Sequence, residues 1–131
     1  MIKQEFSVDN YWEVIVYYDL NYEFLEPIYK ELKTIGFSKE GIRKIFGDLK
    51  SQKAKAVTCS NLEMCVSIVL FNPHDDKYDY FNSLIHEAEH IKQAMLAAYD
   101  VEDVGEPPAY TIGYLAMRMW KVFRYIIYNW C

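Results

Sequence analysis

The chain has 131 residues, 52% of them hydrophobic and 25% charged, with a net charge of −5. That suits one globular domain over residues 1–131, too short for two comfortable cores, and excludes a disordered chain. The acidic balance argues against a nucleic-acid partner, because phosphate backbones recruit cations.

Met1-Ile2-Lys3-Gln4-Glu5-Phe6 has no apolar signal core, so no export is expected and the chain reads as cytoplasmic. Residues 12–18, Trp-Glu-Val-Ile-Val-Tyr-Tyr, have the β-branched and aromatic content of a strand. After a turn at Asp19–Asn21, residues 22–35 place Phe24, Leu25, Ile28, Tyr29, Leu32 and Ile35 on one helical stripe, stopped at Gly36. Ser38 is a candidate N-cap for a second helix carrying Ile42, Ile45, Phe46 and Leu49. Two helices joined this tightly also fit a DNA-binding helix-turn-helix, but there is no clear recognition face. Residues 30–55 hold eight basic and three acidic side chains, a net +5 in a chain of −5. Solvated helix faces or a partner-facing surface both account for it.

Residues 53–59 and 63–71 read as two strands around a turn at Ser60-Asn61-Leu62. A long helix follows over about 76–98, with Asp75, Asp76 and Asp79 at the positive end of its dipole. An acidic linker, Asp100 to Gly105, leads to a last helix opening on Glu106-Pro107-Pro108. Arg118, Lys121 and Arg124 interrupt its apolar stretch, which excludes a membrane span. The order β-α-α-β-β-α-α predicts an α+β domain with a small, mostly antiparallel three-stranded sheet and four helices. Cys59, Cys65 and Cys131 have no metal-binding spacing and read as buried free thiols. The 12 Tyr read as amphipathic core packing.

The third helix contains His86-Glu87-Ala88-Glu89-His90. Histidines four apart stack on one helix face, so both rings can reach one Zn2+ ion, and a carboxylate beside them can take a proton from metal-bound water. At about 100° per residue, the two histidines lie opposite a stripe of Phe81, Leu84, Ala88, Ile91 and Met95, which predicts an exposed pair. Asn82, Ser83, Gln93 and Ala97 share their side. Glu87 and Glu89 flank the row about equally, so the string fits both H-E-x-x-H and the inverted H-x-x-E-H pattern. A catalytic zinc needs a third protein ligand. Glu106 is the candidate, at the head of a helix expected to return alongside the His helix; Asp100, Glu102 and Asp103 are rivals. Glu106, Tyr110, Gly113 and Met117 share one side of that helix, so Tyr110 is the candidate donor to a developing oxyanion and Tyr114 the second choice. His74 is expected to be solvated or a cap.

The string His-Glu-x-x-His, an acidic loop, then Gly105-Glu106-Pro107-Pro108-Ala109-Tyr110-Thr111-Ile112-Gly113-Tyr114 resembles the small zincin-like proteins of phages, prophages and related mobile elements. In those, Glu-x-x-Ala-Tyr follows H-E-x-x-H at the start of a helix. More remotely it is similar to gluzincin metallopeptidases. The resemblance spans about residues 80–118 and implies metal ligands at His86, His90 and Glu106, a general base at Glu87 and a peptide or protein substrate. Tyr110 stands where the repressor-cleaving metallopeptidases of mobile elements carry Asn. The expected function is a zinc-dependent hydrolase, most simply a metallopeptidase; the alternative is an inert zincin-like structural or interaction protein. The sequence sets no oligomeric state.

Overall fold

The computed structural model describes residues 1–130. Two antiparallel hairpins lie side by side: β1 (Ile2–Val8) with β2 (Trp12–Tyr18), and β3 (Ala56–Asn61) with β4 (Val66–Phe71). β2 and β4 pair in parallel, giving a four-stranded mixed sheet in the order β1-β2-β4-β3. The α+β class is as expected; a three-stranded, mostly antiparallel sheet is not what forms. The missing strand is β1, whose sequence Ile-Lys-Gln-Glu-Phe-Ser-Val alternates too weakly in hydrophobicity to declare itself. It pairs because Phe6 and Val8 reach the core, and because Gln4 exchanges hydrogen bonds where an apolar residue would be expected. The Gln4 side chain accepts from the Tyr18 hydroxyl at 2.7 Å and donates to the Arg118 carbonyl at 2.8 Å. Asp9 and Asn10, both with positive φ, close the hairpin, and Tyr11 N–H donates to the Val8 carbonyl. This is the backbone of a type I′ turn, which Asp and Asn tolerate.

β4 is buried along its whole length, the mark of a strand covered on both faces. Alternation along β2 and β4 sorts their side chains into two cores. Val14, Val16, Tyr18, Val69 and Phe71 face α3 (Lys77–Tyr99) and α4 (Glu106–Tyr128). Tyr17, Ile68 and Leu70 face α1 (Glu26–Thr34) and α2 (Lys39–Lys50). The sheet is therefore the middle of three layers.

Pro27, in the first turn, sets the start of α1 later than its apolar stripe suggested, leaving Phe24 exposed outside the helix. Gly36, at φ 101°, ends α1 as expected. Phe37 N–H donates to the Leu32 carbonyl and Gly36 N–H to that of Lys33, the paired bonds of a Schellman motif. The Ser38 hydroxyl caps α2 by accepting from Gly41 N–H at 3.0 Å, and Asp76 caps α3 through Tyr78 N–H at 2.8 Å. The β3–β4 turn falls later than predicted, because Asn61 stays in the strand while its side chain accepts from Met64 N–H. Cys59 is buried and Cys65 half-buried, both as free thiols; Cys131 lies outside the described residues. Among the described residues, no helix is long and apolar enough to cross a membrane.

Candidate metal centre

α3 buries Tyr80, Leu84, Glu87, Ala88, Ile91 and Met95, a stripe that includes a carboxylate and not Phe81, which is 40% exposed. His86 and His90 lie off that stripe and are exposed, as their helical angles predict. Their Nε2 atoms are 3.1 Å apart, and the ring planes meet at 79°. Two nitrogens bound to one tetrahedral zinc at ordinary bond lengths would stand about 3.3 Å apart, so the pair is already close to that spacing. A Glu87 carboxylate oxygen completes a group whose atoms all lie within 4.8 Å of one another. Among the described residues it is the one cluster of His, Cys, Asp or Glu with the spacing for a metal ion. The residues present fit zinc in donor type and spacing.

Glu87 is held from the sheet. α3 crosses β3, and the Thr58 hydroxyl lies 2.9 Å from Glu87 Oε1 and 3.4 Å from the Glu87 carbonyl. Glu87 is only 4% exposed, so this bond fixes the carboxylate beside the imidazoles. Cys59, the next residue of β3, belongs to the core on the sheet's other face. Burial, with a smaller contribution from the negative charge of Glu87, pushes its thiol up to about 12, and its place on the other face keeps it out of the metal-capable group. The open cleft at the site, about 460 Å³, is lined by β3 (Ala56, Val57, Thr58, Ser60) and α3 (His86, Glu87, His90, Gln93, Ala94).

The two glutamates have different partners. The Glu89 carboxylate and Asp103 both bind the ammonium of the nearly buried Lys92, at 2.8 and 2.9 Å. Glu87 is therefore the carboxylate of the His pair, and Asp103 is not free to act as a ligand. Lys92 is in turn held protonated by its hydrogen bond to Glu89, against the opposing effect of burial.

The structure does not bring Glu106 or Tyr110 to the imidazoles. Glu106 is exposed at the head of α4 and outside the metal-capable group; Tyr110 is 74% exposed, and neither lines the cleft. Two physical reasons account for this. α3 continues nine residues past His90, to Tyr99, which is about 13 Å of helix, before the chain turns into α4. α4 also buries Pro108, Leu115, Met119, Phe123 and Ile126, which turns the row of Glu106, Tyr110, Gly113 and Met117 to solvent. Tyr114 is committed elsewhere, donating to the Ser7 carbonyl and accepting from Arg118. Of the rival ligands, Asp100 is the left-handed C-cap of α3 and Glu102 is exposed. His74 is half-buried and held by hydrogen bonds. Its Nδ1 lies 2.7 Å from the Asn72 carbonyl and its Nε2 2.9 Å from the Ser83 hydroxyl, with the ring stacked on Tyr80.

Thr58 and Ser60 were not foreseen in the site. Thr58 faces α3 only because β3 is placed under that helix, a pairing that no local spacing encodes. Compared with known protein families, curated proteins and solved structures, the chain shows no match to any of them.

Proposed function

We propose that this protein is a small zinc-dependent hydrolase acting on peptides, with His86 and His90 as two of the metal ligands, Glu87 as general base, and the third ligand of a catalytic zinc supplied from outside the His86–Glu87–His90 group. The observation that carries the reading is the group itself: two imidazole nitrogens at 3.1 Å and a carboxylate within reach, opening on a cleft. Zinc held there would supply Lewis acidity and lower the pKa of water towards 7. Glu87, oriented by Thr58, would accept the proton of the attacking water and return it to the leaving amine. A peptide substrate is favoured because β3 is an edge strand, paired on one side by β4, and lines the cleft. An extended chain can add to such an edge by main-chain hydrogen bonds.

The outward face of Glu106 and Tyr110 favours a second reading, in which the fold serves interaction and the His pair binds metal without turnover. Glu87→Gln separates the two. On the hydrolase reading, the variant keeps its zinc and loses hydrolysis of an unstructured peptide pool by about a hundredfold or more. Hydrolysis at the parent rate would remove Glu87 from the mechanism, and a zinc-loaded parent that cleaves nothing would leave the second reading standing.

A further inference from the structure

The solvent face of α4 carries a pattern that the metal centre does not use. Glu106, Tyr110, Gly113, Met117, Trp120 and Arg124 recur at alternating spacings of four and three residues, so they form one row along the helix, with Tyr110, Met117 and Trp120 as its apolar members. All six residues are exposed, so nothing in the domain covers this row. Tyr110 is 74% exposed, Met117 47% and Trp120 42%. Glu106 and Arg124, at the ends of the row, form no ion pair among the described residues. Gly113 sits in mid-helix, where glycine weakens helical structure. Nothing in the fold requires it there, since an added Cβ would meet no atom within 4 Å.

We propose that this face binds a second copy of the chain, α4 against α4, antiparallel about a two-fold axis level with Leu115. The row is self-complementary in that register. Glu106 meets Arg124 of the second copy, Tyr110 meets Trp120, and Gly113 meets Met117. Each contact occurs twice, as an isologous interface demands. The pairing sets opposite charges together at both ends, fills the notch at Gly113 with a flexible thioether, and opposes the two helix dipoles. Beside Trp120 lies a groove of about 340 Å³, lined by Tyr78, Phe81, Trp120, Phe123 and Ile127 among others. The second copy's Tyr110 is placed to enter it. No residue of α4 lines the cleft at His86 and His90, so the pairing leaves that cleft open.

Sedimentation velocity of the whole chain across a concentration series tests this. The parent protein sediments as a dimer at high micromolar concentration. Met117→Glu, at an exposed position, gives a monomer with an unchanged far-UV circular dichroism spectrum. Arg124→Glu sets like charges together and weakens the dimer roughly tenfold, and Glu106→Arg combined with Arg124→Glu restores it. A parent that stays monomeric throughout, or a dimer indifferent to Met117→Glu, overturns the interface; a double variant no tighter than Arg124→Glu alone overturns the antiparallel register.

Discussion

Thr58→Val removes one hydroxyl and keeps the shape of the side chain, so it isolates what that hydroxyl does for Glu87. Valine is at least as good a strand residue as threonine, so β3 itself should not suffer. The lost bond, 2.9 Å from the hydroxyl to Oε1, runs to a carboxylate that is 4% exposed. Hydrogen bonds to charged groups contribute about 1.5–3 kcal/mol, and a buried acceptor left without its donor bears its own desolvation cost. Thr58 is itself only half-buried, so water can partly replace it, and the expected loss is about 1–2 kcal/mol. For a chain of this length that lowers Tm by roughly 3–8 °C. Paired urea melts of Thr58→Val, Thr58→Ser and the parent measure it, with serine retaining most of the stability. The cost should shrink when Glu87 is already Gln, because the partner then carries no charge; the double-mutant cycle reports that coupling. A Thr58→Val variant within about 0.5 kcal/mol of the parent, or a serine variant as unstable as valine, would refute the idea that β3 holds the carboxylate.

Zinc at about a hundred times its dissociation constant should stabilise the folded chain by about 2.7 kcal/mol, raising Tm by roughly 10 °C in differential scanning calorimetry. His86→Ala should abolish that rise and leave the metal-free Tm almost unchanged, since the side chain is exposed. Alkaline pH should unfold the protein. Burial chiefly raises the hydroxyls of Tyr18 and Tyr80, and that of Tyr17 to about 12. Above about pH 10 the unfolded chain releases protons that the folded chain keeps, so stability falls as pH rises; tyrosinate absorbance and circular dichroism should change together. Cys59, 3% exposed with its thiol pushed up to about 12, should resist iodoacetamide until the protein is unfolded, as read by peptide mass spectrometry.

The parts of this fold that were legible in the sequence are those set by local chemistry. The Ser38 cap, the Gly36 stop, the Pro107–Pro108 helix start and the exposure of the His pair all depend on residues within a turn or two of each other. β1 was illegible because its inward Gln4 is satisfied by Tyr18 and Arg118, partners far away in sequence. The parallel pairing of β2 with β4 was illegible too, because no local spacing encodes which strands become neighbours. Glu106 lies outside the metal-capable group for a related reason. A motif fixes what lies on one helix, but the position of Glu106 depends on where α3 stops and which stripe of α4 the sheet buries. Glu87 is preferred over Glu89 already from the downstream sequence pattern; the folded chain adds that Glu89 and Asp103 both bind Lys92.

X-ray absorption at the zinc edge of the reconstituted protein tests the metal centre most directly. The account predicts one zinc per chain, two imidazole nitrogens at about 2.0–2.1 Å with oxygen donors completing the shell, and loss of the imidazole signature in His90→Ala. Sulfur at about 2.3 Å, or a spectrum that the His90→Ala variant leaves unchanged, would contradict it.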